Sequence, residues 1–147
     1  MKKQLITELI NRTKNEITLI EENEKEDVKS VTEEQVNENI YENTREEEIG
    51  IIAQSNLAID DLKKRLDHLE NISVAITHDH VALGALVTLN TGTVLVSTAF
   101  PKTKVNDLEV TGISTDSPLY QKMEGLKQGA EFHLTGHNTE FIIEVIQ

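Results

Sequence analysis

Cysteine is absent, so the chain can form no disulfide and offers no thiolate to a metal. Tryptophan is absent as well, and aromatic residues make up only 3% of the chain. Two prolines and seven glycines are spread over 147 residues, which leaves room for long unbroken helices. Basic residues are few: 14 Lys and Arg stand against 26 Asp and Glu, for a net charge of −12. No basic patch is visible, so direct sequence-specific binding to nucleic acid is not expected. No apolar run approaches the roughly 20 residues of a membrane span, and no signal peptide is seen. These absences lead to the expectation of a cytoplasmic protein with no membrane partner.

What is present begins with two helical patterns. Ile6, Leu9, Thr13, Ile17 and Ile20 recur at spacings of three and four from Lys2 to about Asp27. Leu5, Ile10 and Leu19 widen that stripe. A second pattern runs from near Asn39 to Asn71 through Ile49, Ile52, Asn56, Ile59, Leu62, Leu66 and Leu69. Its spacing is that of a coiled-coil seam. At 1.5 Å per residue this arm would be about 50 Å long. The two patterns predict an antiparallel hairpin over residues 1–72.

Between the arms apolar residues give way to charge. Glu21 to Glu48 holds twelve Asp or Glu against three Lys or Arg. Such a block repels itself and attracts cations or basic partners. Ser30 to Glu33 and Thr32 to Gln35 both read as capping boxes, which would restart a helix within the apex. Gly50 lies near the top of the second arm, where it would allow bending or a close approach of the first.

Beyond residue 72 the apolar period becomes two. Strands are predicted over Ala85–Leu89, Thr93–Phe100, Leu108–Ser114, Glu131–Thr135 and Thr139–Ile146, with Lys102–Asp107 as a polar loop. Ser117-Pro118 opens a short helix, Ser as N-cap and Pro at its first position. Phe141, Ile143 and Val145 are expected on one face of the last strand. The fold class is α+β: a helical hairpin over 1–72 and an antiparallel sheet with one short helix over 73–147. Residues 73–147 are expected to fold by themselves. His78, His80, His133 and His137 read as loop histidines rather than metal ligands, and Ser117 as a cap rather than a nucleophile.

Ile113-Ser114, Ser117-Pro118-Leu119, Met123, Gly125, Lys127, Gly129, Glu131-Phe132 and Phe141-Ile142-Ile143-Glu144-Val145 resemble the C-terminal domain of the Gre (GreA/GreB) transcription elongation factors. Gly84, Leu86, Val87 and Leu89 fit the preceding strand of that domain. The order of hairpin and sheet is similar along nearly the whole length. The short first arm is most similar to the divergent Gre-like proteins of Bacteroidetes. The resemblance implies an FKBP-like C-terminal domain, although prolyl isomerase activity is disfavoured because aromatics to line its pocket are lacking.

The same resemblance implies a partner, bacterial RNA polymerase, docked through Ser117, Pro118, Leu119, Gly125 and Lys127. It implies a coiled coil that enters the secondary channel. Tip carboxylates there help hold a catalytic Mg²⁺, so that the polymerase cleaves backtracked RNA. The factor is then not itself an enzyme and binds no cofactor tightly. The family pattern at the tip is Asp, two residues, then Glu-Asn. Glu42-Asn43 fits its second part, and Asn39 stands where the family has Asp, with Glu38 beside it. Glu42, Glu38 and Asn39 are therefore the candidate tip residues, Glu42 foremost as the transient Mg²⁺ ligand. A non-catalytic channel regulator and a coiled-coil interaction module remain as alternatives.

Overall fold

The computed structural model describes the backbone of residues 1–33 and 41–147, and the side chains of residues 1–25, 50 and 53–147. The elements are α1 (Lys2–Glu33), α2 (Tyr41–Glu70), β1 (Leu86–Leu89), β2 (Gly92–Ser97), β3 (Phe100–Val105), β4 (Leu108–Ser114), α3 (Pro118–Met123), β5 (Glu131–His133) and β6 (Glu140–Ile146). The class is α+β, as the two sequence periods require. The chain forms two compact units, Met1–Ile10 with Asp67–Gln147, and Asn11–Leu66.

In the sheet unit the strand order is β3-β4-β2-β1-β6-β5. The sheet is mixed rather than purely antiparallel, because β4 runs parallel to β2 from Thr93↔Val110 to Ser97↔Ser114. The cause is an unpredicted strand. Residues read as the end of one strand and a polar loop form β3, which pairs with β4 as an antiparallel hairpin on the edge of the sheet. β4 returns between β3 and β2, so it shares the direction of β2. Pro101 is tolerated within β3 because an edge strand has N–H groups that need no ladder partner.

Side chains alternate across the strands, and both faces are buried. Val87, Leu89, Val94, Val96, Ile113 and Ile143 share one cluster with Tyr120 and Met123 of α3. Leu86, Leu95, Phe100, Val105 and Val110 share a second cluster with Leu5, Ile6, Leu9 and Leu69. The first turns of α1 and the last of α2 thus cover the second sheet face. Ile6 and Leu9, which the periodicity placed in a helix–helix seam, are part of this cover.

The last strand carries a β-bulge. Thr88 pairs with Val145 but Leu89 with Ile143, leaving Glu144 extra. The inward set is therefore Phe141, Ile143 and Ile146, while Val145 is 38% exposed rather than sharing their face.

In the unit spanning Asn11–Leu66, Ile17, Ile59 and Leu62 are buried together, with Ile20 and Leu66 packed beside them. Thr13 is buried too. Asn56 is exposed and Ser55 is half-buried. Ser55, Ile59, Leu62 and Leu66 keep the four-three-four spacing that Asn56 would break. Leu19 lies outside the seam and is exposed. Ser30–Glu33 does not begin a helix but closes α1. A helix already propagating adds one bond per residue and runs through a local capping signature. A Cβ built on Gly50 meets no described atom within 4 Å.

Candidate functional site

The residues singled out on the sheet unit lie at the two ends of α3. Ser117 has extended backbone (φ −68°, ψ 143°) and caps the helix, its side chain accepting from the Tyr120 N–H at 3.1 Å. Its own N–H donates to the Ser114 carbonyl at 3.1 Å, which fixes the turn out of β4. Pro118 is exposed at the first turn, where a missing N–H costs nothing. Leu119 is half-buried and packs against the α3-side core.

At the other end, Gly125 takes φ +74°, a conformation that favours glycine, and its N–H donates to the Val81 carbonyl at 2.9 Å. Val81 N–H donates in turn to the Leu126 carbonyl at 2.8 Å. Lys127 is exposed and forms an isolated antiparallel bridge with His80. Pro118, Gly125 and Lys127 thus offer surface, whereas Ser117 and Leu119 chiefly build the helix. Inside α3, Tyr120 is buried and its hydroxyl donates to Glu124 Oε1 at 3.1 Å. Burial first, then the Glu124 carboxylate, raises the Tyr120 pKa above its ordinary value.

The sequence reading did not anticipate that His80 and Val81 would meet the end of α3. Their signal was local: a short, mostly apolar segment, His80 to Leu83, ahead of a strand and without a period of its own. His80 pairs with Asp79, and that bond holds the Asp79 carboxyl below the usual range. His133 Nε2 lies 3.7 Å from Glu140 Oε1 across β5 and β6. Among the described residues, no group of three or more His, Asp or Glu is gathered as a metal site. No helix among them is long and apolar enough to cross a membrane.

The tip candidates fall elsewhere. Glu38 and Asn39 lie outside the described residues. Glu42 is the second residue of α2, and its side chain also lies outside the described set. The acidic run brackets the passage from α1 to α2.

Solved structures of Gfh1 align with nearly the whole chain. That from Thermus aquaticus is 18% identical, covers 93% of this chain and 92% of its own, and gives a TM-score of 0.36. That of GreA factor homolog 1 (Gfh1) from Thermus thermophilus is 19% identical, with 94% of each chain covered and a TM-score of 0.35. A third, of the transcription factor Gfh1, is 19% identical over 94% of this chain and 92% of that one, at 0.38. No protein-family model and no curated protein matches the chain. With Gfh1 this distant, the reading of function rests on the chain's own residues.

Proposed function

We propose that the chain is a Gre-like transcription factor that binds bacterial RNA polymerase at its secondary channel. In this reading the hairpin, residues 1–72, carries the tip, and residues 73–147, FKBP-like in the family, dock through the exposed surface around α3. The supporting observation is two long helices, of 32 and 30 residues, whose Ile17, Ile59 and Leu62 are buried together, in a chain whose sequence between them is strongly acidic. Glu42, with Glu38 as its partner, would supply oxygen ligands to a Mg²⁺ held by the polymerase. Mg²⁺ keeps several waters and takes one or two added carboxylates readily. The cleavage centre belongs to the polymerase, so the factor is an accessory and not an enzyme. Its place of action is then the cytoplasm, with the polymerase.

The test is a stalled, backtracked elongation complex incubated with Mg²⁺, with and without the protein. Faster release of the RNA 3′ fragment supports the reading. Binding without faster cleavage supports a second one, a regulator that occupies the channel. That reading is favoured by Asn39, a neutral and weaker Mg²⁺ ligand where the family has Asp. Neither binding nor cleavage sinks both and leaves a coiled-coil interaction module.

A further inference from the structure

Residues 71–85 connect α2 to β1 without a helix or a strand. Connections this long are uncommon in compact units and are often functional. This one is anchored at two points. Ile72 packs beside the cluster on one sheet face. Val81, 1% exposed, is built into the cluster on the other and is tied by backbone bonds to Gly125 and Leu126. Between these anchors Ser73, Val74, Ala75, Ile76 and Thr77 are all exposed.

The segment has little apolar packing of its own, yet one distant side chain reaches it. Lys2 is only 6% exposed, and its Nζ donates to the Ile76 carbonyl at 2.9 Å, across 74 positions of sequence. A buried ammonium is costly unless bonded, so this bond is what compensates its burial. His78 is half-buried nearby and carries no hydrogen bond to the segment's exposed part among the described residues. Opening residues 73–79 would rehydrate both the ammonium and the carbonyl while leaving Ile72 and Val81 in place.

We propose that residues 73–79 form a strap that opens as a local unit, and that Lys2 is its latch. Conformational change draws on segments of low local stability. Among the described residues, Lys2 is the one distant side chain that hydrogen-bonds to this segment, and only His78 within it is partly buried. The assignment does not depend on what the protein binds.

Amide hydrogen exchange on the full chain tests it. Lys2→Met keeps most of the apolar stem and removes the ammonium; Lys2→Arg keeps a cation. In the closed strap the Ile76 N–H donates to the Ser73 carbonyl at 3.3 Å, which makes it the reporter. Lys2→Met should speed exchange over residues 73–79 by about fivefold or more while β1, β2 and β4 exchange as before. Lys2→Arg should restore most of the protection. Unchanged exchange in the strap would overturn the proposal. So would equal acceleration across the strands with a lower Tm, since Lys2 would then support the whole unit rather than latch one part.

Discussion

The ring of Phe100 occupies the space that a side chain on Gly112 would need. The two residues are register partners across β3 and β4, and a Cβ built on Gly112 would overlap both the ring and the Thr98 carbonyl oxygen. The ring can swing away, but the carbonyl belongs to the backbone of the corner between β2 and β3. Gly112→Ala should therefore destabilise the sheet unit by about 2–3 kcal/mol or more, read as a lower urea midpoint. Pairing it with Phe100→Leu should restore only part of the loss, because Thr98 remains.

The burial of the second sheet face revises what a fragment should do. Residues 73–147 alone lack Leu5, Ile6, Leu9 and Leu69, which cover Leu86, Leu95, Phe100, Val105 and Val110. At about 2 kcal/mol for each buried side chain, the four together approach the whole net stability of a typical domain. The fragment is expected to lack a cooperative urea transition. Joining residues 1–10 to 67–147 through a flexible linker should bring it back. A cooperative transition in the bare 73–147 fragment would show that the helical cover is dispensable.

His78 gives the unit a pH dependence. Burial, then the Lys2 ammonium and His80, hold its pKa below the ordinary 6.5, with Asp79 opposing. As pH falls past 6.5 the unfolded chain takes up this proton before the folded one does. The stabilisation is thus fully present above about 6.5 and is lost progressively below, until the folded imidazole also protonates. Urea midpoints measured from pH 7.5 down to 5.5 should fall more steeply for the parent than for His78→Gln. Parallel curves would remove His78 from the account.

At the tip, Glu42→Gln keeps size and removes charge. Under the proposed function it should abolish stimulated cleavage and leave polymerase binding intact. Asn39→Asp supplies the carboxylate that the family has there, and should raise stimulation or create it. A melting curve of each variant, measured beside the cleavage assay, separates chemistry from folding. If both variants cleave like the parent, the tip is not a metal-ligating device.

Gly50 sits inside α2, and no described atom lies within 4 Å of where its side chain would begin. Gly50→Ala should stabilise the helix by up to about 1 kcal/mol, visible as higher helicity and a later melt. A loss of stability would reveal a backbone demand that only glycine meets.

How far the sequence could be read depended on where each residue's partner lay. β4 and the Ser117 cap were legible because alternation and capping are local chemistry. β3 was not, since Lys102, Lys104 and Pro101 suit an exposed edge and a loop equally well. The stripe through Leu5, Ile6 and Leu9 predicted a buried helix face correctly, but three-four spacing is the same whether the cover is a helix or a sheet. The parallel β2–β4 pair followed from β3 and was lost with it. Of the site, Ser117, Gly125 and the turn they bound could be placed from residue type alone. The roles proposed for Glu38, Asn39 and Glu42 would depend on a polymerase and its metal, which no pattern within the chain encodes.

The bulge at Glu144 makes β6 unusually forgiving of a shortened gene. In a regular strand, losing one residue turns every later side chain to the opposite face. Here Ile143 and Ile146 both point inward although three positions apart. Deleting Glu144 would leave them two apart, which is the spacing an ordinary strand needs to keep both inside. The pairs Val87↔Ile146 and Thr88↔Val145 would then continue in step with Leu89↔Ile143. Glu144 is thus a residue whose loss mends an irregularity in the pleat, and drift in chain length has a harmless place to act within the core sheet.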